Sequence, residues 1–376
     1  MKNLDSRPDI TPIPWLDGIR GLAILLVVIG HYFIRFWPFQ FGWIGLNLFF
    51  ILSGYLITSR LFFHFSSEPS NYFRNFYWRR IPRIFPLYYG CLVLFFILLP
   101  FSYHKYEMYF GELFKIQGWY WSYLSNWRII WFGLPTNPIF FHFWSLAVEE
   151  QYYLIWPVIF FLIGTFRKRV LFIYIIISLS ILFRIWEFGN KSAYYNTLTA
   201  AEPLLLGGLL CILEKSNRLR KAFNYLVIFS VISLIMLVII FLHDPNPFPD
   251  NPFVLIPGYT NIDLIWATLF CSLLLKTKSS KISLRIFQSK VLVKLGVFSY
   301  GIYVFHWIIL QLFVFKWEAM LEKAGQPEWI AYGCSRLLGI GATLALAYFS
   351  FTYFESKFLA LKKISFKRPN FIWKAL

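Results

Sequence analysis

Four ionisable side chains stand inside otherwise apolar stretches of the chain: His31, Glu149, His306 and Arg336. Such residues are costly in an apolar environment and are kept mainly where they face a cavity or a partner. An imidazole with a pKa of about 6.5 can accept a hydroxyl proton at neutral pH, and its free nitrogen can act as a nucleophile. We therefore take His31 as the candidate base and Glu149 as the candidate buried carboxylate. Hydrogen-bonded packing for His31 and a structural ion pair for Glu149 are the alternatives.

The spacing of other polar residues places them on the same helical faces as these candidates. Arg20 precedes His31 by eleven residues, so the two lie on nearly one face with Cα atoms about 16 Å apart and could line one cavity. Arg20 could equally be an ordinary charge at the inner end of a membrane helix. Tyr303 and His306 share a face with Ser299, which makes His306 a second candidate base or a hydrogen-bonded core histidine.

A basic stretch at residues 78–86 holds Arg79, Arg80 and Arg83, which we interpret as an inner loop. Guanidinium groups bind phosphates through two parallel hydrogen bonds. The stretch suits the phosphates of coenzyme A and lipid headgroups equally well. The sequence has no HExxH spacing and no glycine-rich phosphate loop, so it does not indicate metal, ATP or dinucleotide chemistry.

The elements that must position these residues are membrane helices. The 376 residues are 58% hydrophobic and only 14% charged, whereas soluble domains carry about 25% charged residues. Apolar runs of about 20 residues recur along the chain, in contrast to the alternating pattern of a β-barrel. This predicts an all-α integral membrane protein with a single domain over residues 1–376 and about ten transmembrane helices. The predicted spans are near residues 17–35, 42–60, 85–101, 143–163, 170–187, 199–214, 222–242, 253–275, 294–315 and 329–354.

The distribution of charge predicts the orientation. Most of the 36 lysines and arginines fall on one side of the predicted spans, as the positive-inside rule requires, so both termini should be cytoplasmic, including a basic tail at residues 356–376. Anionic membrane lipids explain the net charge of +18, and nucleic acid is not a predicted partner. Tryptophans and tyrosines in the outer loop at residues 101–142 suit the headgroup boundary or a sugar ring. The four isolated cysteines indicate packing.

Five motifs occur in order across these spans, and together they resemble the acyltransferase 3 family of integral membrane acyltransferases, which includes bacterial O-antigen acetylases. Ala200 and Glu202 stand where family members often have arginine and aspartate, so a charged pair there is altered, and Glu355 lacks the proline that commonly follows. We expect no fused SGNH-type domain in a chain of this length. The motifs lie at residues 16–31, 49–57, 79–86, 143–153 and 299–306.

The resemblance implies transfer of an acyl group, most often acetyl, from cytoplasmic acyl-coenzyme A to a hydroxyl of a cell-surface glycan or lipid-linked saccharide, in the bacterial cytoplasmic membrane. It implies catalytic roles for His31, Glu149 and Arg20, donor binding by Arg79, Arg80 and Arg83, and supporting roles for His306, Tyr303 and Ser53. Glu149 would orient a histidine or the acceptor, or balance its charge. A multi-span transporter or flippase is the alternative, because buried ionisable residues also occur in proton-coupled carriers.

Overall fold

The structure, a computed structural model, describes residues 13–64, 69–102, 106–249, 251–276 and 280–361. Of the predicted basic tail, only residues 356–361 are among them; the remainder lies outside the described residues. Throughout the described ranges the chain is helical and contains no strand. The predicted all-α class is confirmed.

The described residues form eighteen α-helices. Four short π-helical turns adjoin some of them, at Leu94–Leu98, Val254–Gly258, Leu310–Val314 and Ser350–Glu355. In chain order the helices are α1 (Pro14–Tyr32), α2 (Ile44–His64), α3 (Pro69–Val93), α4 (Leu99–Ser102), α5 (Tyr106–Lys115), α6 (Gln117–Trp121), α7 (Ser125–Phe132), α8 (Phe143–Leu162), α9 (Phe166–Trp186), α10 (Thr197–Lys215), α11 (Leu219–His243), α12 (Tyr259–Leu275), α13 (Ser280–Phe287), α14 (Lys290–Val297), α15 (Ser299–Ile309), α16 (Phe315–Lys323), α17 (Glu328–Phe349) and α18 (Ser356–Ala360).

Nine helices in the described ranges are long and apolar enough to cross a membrane. The remaining predicted span corresponds to α8, which has 20 residues but carries Glu149, Glu150 and Gln151. These three residues lower its hydropathy, yet Ala147 and Val148 on the same helix are fully buried. The helix that carries the carboxylates is therefore packed inside the bundle.

The third membrane helix begins much earlier than the hydropathy pattern indicates. A continuous helix runs from Pro69 to Phe101, although the predicted span begins at residue 85. The basic stretch that we interpreted as a loop lies within α3, which accommodates Pro82 and Pro86. Hydropathy marks only the apolar half of this helix, because its first half is polar.

Helices α2 and α10 pack with their backbones nearly in contact. A Cβ atom added at Gly54 would lie 1.8 Å from the carbonyl oxygen of Leu204, and one at Gly207 would lie 1.9 Å from that of Ile51. Small residues at such crossings let membrane helices approach closely. This contact fixes the part of α2 that carries Ser53.

The long predicted outer loop is folded into short helices. Asn126 is fully buried, whereas Trp131 is 61% exposed. The Glu112 carboxylate accepts hydrogen bonds from the Thr136 hydroxyl and from the backbone N–H groups of Thr136 and Asn137. This interaction holds the segment just before α8 in place.

Candidate active site

Helices α1, α2, α3, α8 and α15 surround a cavity of about 740 Å³, a volume that includes its open mouth. We call it the arginine cavity. It brings together six of the residues predicted from the sequence. Its lining consists of Arg20, Leu46, Phe49, Phe50, Ser53, Leu56, Arg80, Arg83, Ile84, Ser145, Leu146, Glu149, Tyr153, Ser299, Tyr300 and Tyr303.

Positive charge dominates one part of this lining. The Arg20 guanidinium pairs with Asp17 one turn earlier on α1, at 2.5 Å. The Arg80 guanidinium lies over the Tyr153 ring, 4.8 Å from its centroid. In the described part of the chain, neither Arg80 nor Arg83 forms an ion pair with a carboxylate. Two guanidinium groups are therefore available for an anionic ligand.

Arg79 is not among the residues that line the cavity, although Arg80 and Arg83 are. Its predicted contact with the donor stays a prediction. Arg80 and Arg83 are three residues apart and so lie on one side of α3.

Glu149 is held by hydroxyl groups. Its Oε1 accepts hydrogen bonds from the Ser53 hydroxyl on α2 and from the Tyr153 hydroxyl one turn later on α8, the latter at 2.5 Å. An ion pair was one alternative for Glu149, but the hydrogen-bond partners that the structure describes are these two hydroxyls. The neighbouring Glu150 also has one buried carboxylate oxygen.

Beyond Tyr303, α15 leads from the arginine cavity to a pair of histidines. The Tyr303 hydroxyl donates to the carbonyl oxygen of His142 at 2.8 Å and is hydrogen-bonded to Ser145. One turn later, Nε2 of His306 lies 3.0 Å from Nδ1 of His31 on α1. The planes of the two rings are nearly parallel, with centroids 5.2 Å apart and an interplanar angle of 11°. We call His31 and His306 the histidine pair.

His31 does not line the arginine cavity, although Arg20 on the same helix does. His31 is partly exposed as a residue, whereas His306 is fully buried. Trp307 presents an edge contact to His31 at 4.8 Å between centroids. Arg20 and His31 thus occupy two adjoining parts of the site.

The sequence reasoning missed His142, which is 2% exposed. Its ring centroid lies 5.3 Å from that of His306, and its Nε2 lies 3.1 Å from the carbonyl oxygen of Val304. A usable signal was present, because His142 is an ionisable residue directly before the motif at residues 143–153.

The profile of a family described as "Acyltransferase domain" matches residues 13–351. The chain belongs to this acyltransferase family. It is 31% identical over 397 residues to the peptidoglycan O-acetyltransferase OatA of Listeria monocytogenes, an alignment that covers 96% of this chain and 59% of that protein. It is 28% identical over 332 residues to the O-acetyltransferase OatA of Staphylococcus aureus, covering 82% of this chain and 52% of that protein. The chain thus spans a little over half the length of these relatives. No solved structure matches it.

Membership of the acyltransferase family confirms the resemblance found in the five motifs. The apolar helices and the bacterial relatives together make the chain a multi-pass bacterial membrane protein. Within the described residues, no cluster of histidine, cysteine, aspartate and glutamate side chains could hold a metal ion. The family match favours the transferase hypothesis over the transporter hypothesis.

This acyltransferase also has a second buried polar cluster that the sequence did not reveal. Arg184 on α9 donates to Glu202 on α10 at 2.6 Å, and both side chains are fully buried. Thr260 bridges them, because it accepts from Arg184 at 2.7 Å and donates to Glu202 at 2.8 Å. Glu202 therefore finds its cation on another helix, although alanine stands at position 200.

Arg336, one of the four ionisable residues singled out first, lies in another ion pair. Its guanidinium donates to Glu318 at 2.5 Å and to the carbonyl oxygen of Tyr32 at 3.3 Å. These contacts join α17 to α16 and to the end of α1. The structure indicates a structural role for Arg336.

Proposed function

We propose that this acyltransferase is an O-acetyltransferase, which moves an acetyl group from cytoplasmic acetyl-coenzyme A to a hydroxyl of a cell-surface glycan. The observation that carries the proposal is that α1 and α15 each contribute to both the arginine cavity and the histidine pair. The cavity that could bind an anion and the histidines that could handle protons are thus built partly from the same two helices. The names of the OatA relatives support peptidoglycan as the class of acceptor.

The arginine cavity suits the donor. Coenzyme A carries a pyrophosphate and a further ribose phosphate, and Arg80 and Arg83 offer two guanidinium groups free of carboxylate partners. Arg20 adds a third positive group at the same cavity. From Arg20 to His31 is about 16 Å along α1, so the thioester end of a long donor can approach the histidine pair while its phosphates stay at the arginines.

His31 supplies the base. In this proposal, His31 accepts the proton of the acceptor hydroxyl while that oxygen bonds to the thioester carbonyl carbon. The carbon–sulfur bond then breaks, and His31 returns the proton to the sulfur, giving an ester and a free thiol. Such a base contributes about 10²- to 10⁴-fold in rate. In the covalent alternative, His31 carries the acetyl group between the same two partners.

Glu149 acts on the donor side of the site. It accepts from Tyr153, whose ring lies under the guanidinium of Arg80. Glu149 therefore positions Arg80 through Tyr153, and through Ser53 it ties α2 to α8. We assign Glu149 as a positioning residue for donor binding.

The first experiment measures ester-linked acetyl groups released by mild base from the cell wall. It compares cells with the native protein, a deletion, His31→Ala and His243→Ala at matched membrane abundance. His243 is exposed and lies outside the site, so its variant is the matched control. We expect the acetyl ester to disappear in the deletion and in His31→Ala only. An acetyl content that is equal in all four strains would refute the proposed function.

The second experiment tests the donor site with the purified protein in lipid nanodiscs. We expect Arg80→Ala/Arg83→Ala to raise the apparent KM for acetyl-coenzyme A, because the phosphates lose two charge-assisted contacts. Arg74→Ala is the control, since Arg74 is exposed and bonded to Asn71 outside the cavity. An unchanged KM in the double variant would remove the assignment of the arginine cavity to the donor.

A further inference from the structure

The hydrogen bonds around the histidine pair determine which ring nitrogen carries each proton. The starting point is Nδ1 of His306, which lies 2.6 Å from the backbone carbonyl oxygen of Tyr303. A carbonyl oxygen can only accept a hydrogen bond, so Nδ1 of His306 carries a proton. Because His306 is fully buried and contacts no carboxylate among the described residues, its ring is neutral.

The assignment of His306 fixes that of His31. In a neutral imidazole with its proton on Nδ1, Nε2 is an acceptor. That Nε2 lies 3.0 Å from Nδ1 of His31, so Nδ1 of His31 must be the donor. The remaining nitrogen of His31, Nε2, then carries a free lone pair. From these contacts we infer that His306 is a positioning residue, which holds His31 in the tautomer whose reacting atom is Nε2.

The surroundings of the pair keep this arrangement in place. On one side, the edge contact with Trp307 orients the His31 ring, and the indole N–H of Trp307 is bonded to the carbonyl oxygen of Pro138 at 2.7 Å. On the other side, the Tyr32 hydroxyl donates to the carbonyl oxygen of His306 at 3.0 Å. The two rings are therefore held from both helices.

The titratable groups that face the pair are His142, Tyr303 and Tyr32. The ring of His142 lies 5.3 Å from that of His306, and its Nε2 must donate to the carbonyl oxygen of Val304, so His142 is held in the opposite tautomer. The Tyr303 and Tyr32 hydroxyls are both engaged with carbonyl oxygens. None of the three competes with His306 for Nδ1 of His31.

This inference rests on the proposed function for its chemical meaning. A base or a nucleophile needs a lone pair, and the hydrogen bond to His306 leaves that lone pair on Nε2 of His31. When Nε2 of His31 takes the acceptor proton, Nδ1–H stays bonded to Nε2 of His306. His306 thus has the orienting role that the carboxylate has in a Ser-His-Asp triad, without adding a negative charge.

The direct test is ¹⁵N NMR of the full-length protein labelled at histidine and held in lipid nanodiscs. The sequence has only six histidines, and the signals of His31 are assigned by their loss in His31→Gln. We expect neutral His31 with its proton on Nδ1 in the native protein. A His31 with its proton on Nε2, or a doubly protonated His306 at neutral pH, would overturn the inference. This measurement requires no catalysis, so its result is independent of the result of the acetyl assay.

A kinetic test compares two substitutions of the same residue. His306→Gln can offer a side-chain oxygen to Nδ1 of His31, whereas His306→Ala cannot. We expect kcat to fall about 10²-fold in His306→Ala, with recovery of much of that loss in His306→Gln and little change in KM for the donor. If His306→Ala and His306→Gln both retain the native thermal stability and lose kcat equally, His306 does not act through a hydrogen bond to His31.

Discussion

Replacing Arg184 by methionine tests whether the buried ion pair stabilises the bundle. Arg184 and Glu202 are both fully buried, and their contact joins α9 to α10. The substitution leaves the Glu202 carboxylate with the Thr260 hydroxyl. It also leaves Asp263 on α12, a second fully buried carboxylate, which is bonded to Asn47. Two buried carboxylates would then remain without the arginine.

The expected loss in the free energy of unfolding follows from this burial. Removing one partner of a buried pair costs about 3–5 kcal/mol, because the other charge is left without compensation. That is a large part of the roughly 5–15 kcal/mol by which folded proteins are usually stable. Arg184→Met/Glu202→Leu should recover most of the loss, since replacing both partners by apolar groups is often close to neutral.

The assay is unfolding of the purified protein in detergent, followed by the fluorescence of its 16 tryptophans. Arg35→Met is the matched control, because Arg35 is half exposed in its ion pair with Glu328 and such pairs contribute only about 0–1 kcal/mol. A loss of stability in Arg184→Met no larger than in Arg35→Met would refute the reasoning. The reasoning would also be refuted if Arg184→Met/Glu202→Leu were as unstable as Arg184→Met.

Three further predictions concern helix packing, donor binding and the segment before α8. Gly54→Ala should lower both thermal stability and activity, because its Cβ has no space between α2 and α10, whereas Gly118→Ala, which has open space around it, should not. Glu149→Gln should raise the KM for acetyl-coenzyme A while leaving the tautomer of His31 unchanged in ¹⁵N NMR. Burial opposes ionisation of the Glu112 carboxyl, but hydrogen bonds from Thr136 outweigh it and hold its pKa below the usual value. The Glu112 contact should therefore stabilise residues 133–138 above a pH of about 4 and weaken as pH falls below that. Hydrogen exchange at residues 133–138 should depend on pH in this way in the native protein. The pH dependence should be absent in Glu112→Gln.

The sequence predicted the parts of the site that lie within one helix. The spacing of Tyr303 and His306 is read directly from helical periodicity, and both residues lie on α15. Arg80 and Arg83 were marked by their density of charge, and they do line one cavity. Hydropathy located α8 even though this helix carries Glu149, Glu150 and Gln151.

Contacts between distant helices could not be predicted in this way. His31 and His306 are 275 positions apart, and nothing in the periodicity of either helix says that their rings meet. The same is true of Arg184 and Glu202, whose two helices each look like an ordinary apolar span with a few charged residues. The helical state of residues 78–86 was missed for another reason, since polarity and two prolines hid a helix that packing stabilises.

The arrangement of the site makes helix register a physical requirement. Helix α1 carries Arg20 at the arginine cavity and His31 in the histidine pair, and α15 carries Tyr303 and His306 in the same two places. A residue inserted between Arg20 and His31 would turn one of them by about 100° relative to the other. His31 would then face away from His306 while Arg20 still faced the cavity. The spacing of eleven residues on α1 therefore matters in two places at once, because Arg20 must face the arginine cavity while His31 meets His306 on α15.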